Sequence, residues 1–474
     1  MTMNAFNPLD LWYHSPLVVI ILTGLAVLVA EGIRRNSAAL SFSISLAGLF
    51  LAGVLALLTV GPDQATFGGM MVHGVFGRYF SLVFVVAGIL SIITSREYLA
   101  RMNIHRSEYY ALVLFAIAGM ILMASGTDLV VLFLGIELMS VPFYVLAGFM
   151  RTKSTSNEAA LKYFLLGAFA TGFLLYGIAL VYGTAGTTNI SAMKSSLLND
   201  RVFLIGTGLI IVALAFKVAA VPFHMWAPDV YEGSPTSVTG FMATAGKSAA
   251  FAAIIVFFLR GIEFAGTSVS TALAVLAAAS MIVGNVTAIA QNSVKRMLAY
   301  SSIAHAGYML SGVAAGNAEG QTGIMFYLGA YTFMNIGAFT IVGLMEREDD
   351  KGLLFDDYAG LSTRQPALAF LMSVFMFSLA GIPPLAGFFG KYYVFLAAVK
   401  ADMTWLAIFG VLTSLISVYY YLRLVVQMYF RDSDQPSGGR KPPGVLIATG
   451  IAALMVVLFG VQPSLILRFI AGLL

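Results

Sequence analysis

Apolar residues come in runs of about twenty along this chain, and polar residues cluster in the short gaps between them. A helix needs about 20 largely apolar residues to cross a bilayer. Fourteen segments reach that length, roughly 16–33, 40–60, 74–94, 108–126, 128–149, 159–182, 202–231, 236–259, 270–291, 297–315, 322–345, 366–399, 404–430 and 444–467. Apolar side chains run all round each segment with no alternation of period two, which argues against a transmembrane barrel. The pattern predicts an all-α polytopic membrane protein with about 14 transmembrane helices.

Two spans are too long and are interrupted. The seventh contains Pro222 and Pro228; the twelfth contains Gly381, Pro383, Pro384 and Gly387. Proline removes a backbone hydrogen bond and glycine softens the chain, so both helices are expected to break near mid-bilayer. Unwound backbone at that depth belongs where protein buries it or where it lines a wet cavity. Pro222 and Pro383 lie 161 residues apart, and the starts of spans four and nine are about 162 apart. An offset of five helices, an odd number, makes the second unit enter from the opposite face. Spans 4–8 and 9–13 therefore read as two inverted five-helix repeats, each with one broken helix, and such breaks mark a midplane ion or substrate site. The chain divides into a three-helix segment (1–107), two repeats (108–260 and 261–430), and a final loop and helix (431–474).

Composition sharpens this reading. Of 474 residues 59% are hydrophobic and 10% charged, against about 25% charged in a soluble domain. The chain has no cysteine, which excludes disulfides, thiolate zinc sites and Cys-held iron–sulfur clusters in it. The first 15 residues carry Asp10 and no Lys or Arg, unlike the basic start of a signal peptide, so Pro16 onward reads as a retained span. The net charge of +4 forms no nucleic-acid patch.

Basic residues orient the bundle. One set of alternate loops holds 16: Arg34, Arg35, Arg96, Arg101, Arg106, Arg151, Lys153, Lys162, Lys295, Arg296, Arg347, Lys351, Arg364, Arg431, Arg440 and Lys441. The other set holds 5: Lys194, Arg201, Arg260, Lys400 and Arg468. This split places both termini on the outer side and requires an even number of helices.

Few charges remain near the midplane. Glu137 lies in the middle of span five, Lys217 halfway along span seven and Lys247 at the centre of span eight; Lys391 follows the break of span twelve, displaced toward the outer face. Each ionised group there costs at least ~2.5–3.5 kcal/mol. Lys217 and Lys247 are ~15 Å from either interface, too far for a lysine stem to reach water. Three lysines against one glutamate cannot all be neutralised in pairs. An amine without a fixed counter-ion, opposed by desolvation and like charges, gives up its proton readily and carries protons where water reaches it. His224, two residues past Pro222, and His305, below Tyr300, Ser301 and Ser302, are candidate relays. His14, His73 and His105 fall in loops or at span ends, where solvation is expected. Glu31, Arg78 and Arg423 acquire no role. Ala245-Gly246-Lys247-Ser248 resembles the end of a phosphate-binding loop, but Phe241 stands where the first glycine belongs. No dinucleotide fingerprint and no haem- or zinc-binding His spacing occurs.

The segments GIELMSVPFYVL, AFKVAAVPFHMWAPDVYEGSPTSVTGFMATAGKSAAF, QNSVKRMLAYSSIAHAGYML and SLAGIPPLAGFFGKYYVF together make the chain resemble the antiporter-like subunits of respiratory complex I. Among them it is most similar to the subunit N group of bacterial NADH:quinone oxidoreductases, through the wording EGSPTSVTGFMATAGKSAAF and the modest length. The resemblance implies that each repeat is a proton half-channel and that Glu137 and Lys217 are a coupled pair. It makes Lys247 the central relay to an inner half-channel and Lys391 the gateway to an outer one, with His224 and His305 on the path between. It implies that NADH, FMN, the iron–sulfur clusters and quinone reside in partner subunits, with no cofactor in this chain. The partners would be membrane lipid and the other membrane subunits of an obligate hetero-oligomer in the bacterial inner membrane. Two other readings stand beside it: a subunit of a multi-subunit cation/proton antiporter, and a structural scaffold with vestigial charges.

Overall fold

The computed structural model describes residues 7–34, 37–261, 267–347, 351–432 and 441–472. A short helix α1 (Pro8–Tyr13) leads into α2 (Ser15–Ile33) and α3 (Ala38–Leu58). A small antiparallel hairpin, β1 (Gln64–Thr66) and β2 (Met71–His73), then precedes α4 (Val75–Arg101). The first repeat comprises α5 (Ser107–Ser125), α6 (Leu129–Ala147), α7 (Ser154–Ala185), the broken span α8 (Arg201–Val218) and α9 (Trp226–Gly233), and a continuous helix containing α10 (Thr236–Phe241) and α11 (Lys247–Ile254). The second comprises α12 (Ser268–Ile289), α13 (Val294–Ala314) and α14 (Ala318–Met345). It continues through a short α15 (Leu361–Arg364) to the broken span α16 (Pro366–Ala380) and α17 (Ala386–Lys400), then α18 (Thr404–Phe430). α19 (Pro443–Val461) and α20 (Ser464–Ile470) close the chain.

Among the described residues twelve helices are long and apolar enough to cross a membrane. The two expected spans outside that set have evident reasons. α13 carries Lys295, Arg296, Ser301, Ser302 and His305 along its length, and span twelve is divided between two helices of 15 residues each. Each of the fourteen apolar segments thus has its helix or pair of helices. The protein is a multi-pass, all-α membrane protein with two inverted repeats.

Both breaks use one device. α8 ends on Ala219 at φ 58° and α16 on Gly381 at φ 87°, left-handed caps 162 positions apart. In each, the next residue's N–H reaches back to a carbonyl of the last turn, Ala220 to Ala215 and Ile382 to Phe377, and proline follows within three residues and prevents the helix from resuming. Helix pairs also match. Where α5 meets α6, a Cβ on Gly119 would lie 2.5 Å from the Met139 nitrogen; where α12 meets α13, a Cβ on Gly284 would lie 2.5 Å from the Ala304 nitrogen. In lipid, where apolar surface gains little by pairing, such close backbone contact holds helices together.

The three histidines at loops and span ends are not solvated as expected. His14 and His73 are buried: α1 folds over the hairpin, His14 Nε2 lies 2.8 Å from Thr66 Oγ1, and the Tyr13 ring stacks on His73 at 4.6 Å. Burial, with His73 alongside, lowers the His14 pKa to about 4. His105 is partly buried against Tyr110, and burial lowers its pKa too. Hairpin and α1 are too short for periodicity to announce. Arg35 and Arg440, used to orient the bundle, lie outside the described residues.

Candidate functional site

The intramembrane charges lie on helices whose local structure is irregular where they occur. Lys217 is in the last turn of α8, two residues before the left-handed cap, where the helix dipole favours a cation. Lys247 begins α11 directly after a π-helical turn, Met242–Gly246, and a second π turn, Ile255–Leu259, follows; such bulges concentrate at functional sites. Lys391 is in α17, just past the second break. All three are buried, at 9%, 2% and 5% exposure, so none of them snorkels to an interface.

Each ammonium is held by neutral oxygens. Lys217 Nζ donates to Ser140 Oγ at 2.7 Å and to Tyr144 OH at 3.4 Å. Glu137, Ser140 and Tyr144 are spaced i, i+3, i+7 and share one face of α6. Glu137 itself accepts a 2.7 Å bond from Thr171 Oγ1 on α7. Among the described residues Glu137 and Lys217 form no direct ion pair; Ser140 takes the ammonium and Thr171 the carboxylate. Lys247 Nζ donates to both the carbonyl and the hydroxyl of Ser302, each at 2.5 Å. Lys391 Nζ donates to Ala380 O (2.8 Å), a carbonyl freed by the break, and to Ser414 Oγ (2.7 Å).

Tyrosines and His305 join the second and third lysines. Ser301, next to Ser302, bonds the Tyr421 hydroxyl, which lies 3.0 Å from His305 Nε2; His305 Nδ1 is 2.6 Å from Tyr327 OH. Tyr420, its ring tilted 54° against that of Tyr421 with centroids 4.4 Å apart, donates to Asn285 Oδ1 at 2.9 Å. Asn285 Nδ2 donates to Tyr308 OH at 2.8 Å, and the Lys391 ammonium sits 5.0 Å from the centre of the Tyr308 ring. Hydroxyls, one imidazole and the Asn285 amide thus lie between Lys247 and Lys391, with chain adjacency at Ser301–Ser302 and ring contacts at Tyr420–Tyr421 and Tyr308–Lys391 joining the hydrogen-bonded pieces. Among the described residues no comparable line of hydrogen bonds reaches Lys217, and the Phe143 ring packs against Gly246, beside Lys247. His224 is in the turn after the first break with its Nδ1 unpartnered among the described residues, and the structure does not bring it into the line. Sequence reasoning, which tracked charges, missed Tyr308, Tyr327, Tyr420, Tyr421 and Asn285. The run Tyr419-Tyr420-Tyr421 in an apolar span was the available signal.

A charged cluster at the basic-rich end ties the repeats together. Asp229 on α9 takes Lys162 of α7 at 2.8 Å and Arg296 of α13 at 3.0 Å, and Arg296 also reaches Glu232 at 2.6 Å.

Residues 126–417 match the family described as the NADH:quinone oxidoreductase/Mrp antiporter transmembrane family. The NADH-quinone oxidoreductase subunit N of Trichlorobacter lovleyi is 45% identical over 473 residues, 98% of this chain and 97% of that protein. The chain belongs to the subunit N family. A chain in the structure of respiratory complex I from Thermus thermophilus with bound aureothin is 36% identical and superposes with a TM-score of 0.84, covering 95% of the present subunit N family member and 98% of that chain. A chain in the structure of the Mrp complex from a Dietzia species superposes at 0.89 over 97% and 96% of the two chains, but at 21% identity it shows a shared fold alone.

Proposed function

We propose that this subunit N family member is a proton-translocating membrane subunit of a redox-driven NADH:quinone oxidoreductase. The observation that carries this reading is the buried line Lys247–Ser302/Ser301–Tyr421–His305, continued through Tyr420, Asn285 and Tyr308 to Lys391. Amines, hydroxyls and an imidazole spaced within a few ångströms of one another move protons with small side-chain shifts across the gaps, and a Lys–Glu couple supplies the charge that biases them. Glu137 and Lys217 are that couple. Their separation, with Ser140 and Thr171 as alternative partners, is one of two states; direct approach is the other. Electron transfer belongs to partner subunits that hold NADH, FMN, the iron–sulfur clusters and quinone, and this chain does no redox chemistry. It works in the bacterial inner membrane, with both termini on the periplasmic side, bound to the other membrane subunits.

Replacing Lys217, Lys247 or Lys391 by Ala tests the reading in the assembled complex. Proton pumping and quinone-reductase turnover fall together, by roughly tenfold or more for a lost proton relay, and Glu137→Gln lowers both to a lesser degree. Wild-type pumping and turnover in all four variants would leave a scaffold. The shared fold with the Mrp chain makes sodium/proton exchange the second reading, and exchange in proteoliposomes without an electron donor would favour it.

A further inference from the structure

A cavity of about 310 Å³ opens at the basic-rich end of the bundle, between α4, α10, α14 and α19. On the orientation proposed above this is the inner side. The cavity follows α14 from Leu344 to Ile336 and α4 from Arg101 to Ser91, so it reaches about 12–15 Å into the bundle at 1.5 Å per residue. Its mouth carries Glu97, Arg101 and Lys441, and Thr94 and Thr340 are half-buried on its α4 and α14 walls. A passage of this size, charged at the mouth and bearing hydroxyls further in, has room for several waters and partners for them.

The cavity ends where α10 and α14 meet: a Cβ on Gly240 would lie 3.1 Å from the Phe339 Cβ. Tyr331, Asn335, Phe339 and Gly343 are spaced four apart on one face of α14, and Phe339 and Gly343 line the cavity. A helical side chain leans toward the N-terminus of its helix, which carries the Phe339 ring over the turn that holds Asn335. Asn335 and Tyr331 are fully buried. Among the described residues, Asn335 Oδ1 and the Tyr331 hydroxyl have no hydrogen bond of good geometry. The Tyr331 hydroxyl nonetheless interacts with the side chains of both Ser302 and Asn335, and its ring centre lies 5.2 Å from that of His305. Ser302 is the residue that holds the Lys247 ammonium. The stripe therefore leads from the floor of the cavity to the centre of the proton path. Buried polar atoms without partners are costly and uncommon, and water admitted past Phe339 would satisfy both.

We propose that this cavity is the inner-side proton inlet to Lys247, closed in this structure by Phe339 and continued through Asn335, Tyr331 and Ser302. The inference deepens the pumping reading and rests on it. A proton arriving on water in the cavity passes to the Tyr331 hydroxyl and then to that of Ser302, each taking one proton and releasing another, and ends on the neutral Lys247 amine. The Asn335 amide accepts a hydrogen bond from the water and does not titrate. Three of the four walls, α4, α14 and α19, lie outside the first repeat, so the inlet is not a half-channel of that repeat alone. Each approach to Lys247 is closed by a ring, Phe143 on the side of Lys217 and Phe339 on the side of the cavity.

The test uses the assembled complex in inside-out membrane vesicles, with the inner face turned to the medium. The chain has no cysteine of its own, so one introduced at Thr340 is an unambiguous target within it. Thr340→Cys is expected to react with a membrane-impermeant, cationic methanethiosulfonate, located by peptide mass spectrometry. The reacted complex is expected to lose NADH-driven pumping and quinone-reductase turnover about tenfold, against both the unreacted variant and wild type treated alike. Thr94→Cys, on the α4 wall, gives the same result and serves where the first variant fails to assemble. Asn335→Ser keeps a small polar side chain and most of the pumping, whereas Asn335→Leu keeps the volume and lowers pumping about tenfold. The reverse order would give Asn335 a packing role and overturn the assignment. No reaction at either cysteine, or full pumping and turnover after complete reaction, overturns the inlet. The pumping reading is decided separately by Lys247→Ala: lost pumping there, with full activity in reacted Thr340→Cys, retains the pump and rejects this inlet.

Discussion

The residues that separate this chain from an inert bundle are those holding its lysines, and each is a neutral oxygen. Ser140, Ser302 and Ser414 solvate the three ammonium groups as water would, at fixed positions and without a compensating charge. Tyr421 has the most demanding role, because its hydroxyl meets Ser301 on one side and His305 on the other. Tyr421→Phe keeps the ring and its contact with Tyr420 but removes that link. Proton pumping in the reconstituted complex is expected to fall roughly tenfold, the worth of one hydrogen bond in a buried chain, while assembly is unchanged. The four charges were legible in the sequence because a bilayer makes every charge conspicuous. The tyrosines were not, since Tyr is at home in an apolar span and nothing local tells a packing ring from a relay. His14 was misjudged for a related reason: its burial depends on Thr66, more than fifty residues away. Its depressed pKa gives a signed prediction. The unfolded imidazole titrates near 6.5 and the folded one near 4, so its contribution is complete above pH 6.5 and is lost as pH falls toward 4. Hydrogen exchange over residues 64–73, corrected for intrinsic rate, is expected to accelerate across that window and stay flat from pH 7 to 8.

At the scale of elements, the two breaks are the informative structures. Pro222 and Pro383 made both visible from sequence, but the left-handed residues that end the helices, Ala219 and Gly381, were visible only in part. Glycine announces such a conformation and alanine does not. Ala219 holds φ 58° at a cost of about 1 kcal/mol relative to glycine. Ala219→Gly is therefore expected to hold or raise the thermal stability of the detergent-purified complex, and Ala219→Val to lower it, with Lys217-dependent pumping intact in the glycine variant. A fall in stability with glycine would mean that the cap is set by packing alone. The π turns flanking Lys247 left no trace in the sequence, because hydrogen-bond register within a continuous apolar helix has no compositional signature.

At the scale of the whole molecule, fold and topology were read from two numbers: the length of the apolar runs and the offset of about 162 between halves. Both reflect the bilayer, which fixes helix length and forces an odd-numbered repeat to invert. Contacts between the repeats were not legible, since Asp229, Lys162 and Arg296 are loop-end charges in any one-dimensional reading. The cluster joins helices from both repeats. Within that frame the Phe143 ring against Gly246 has a consequence for the membrane as a whole. A continuous wire of proton carriers from one face to the other would be a short circuit, discharging the gradient it served to build. If the proposed path operates, the Phe143 ring packed against Gly246 is where such a wire would be interrupted, and Phe143→Ala in the reconstituted complex is expected to raise the passive proton leak.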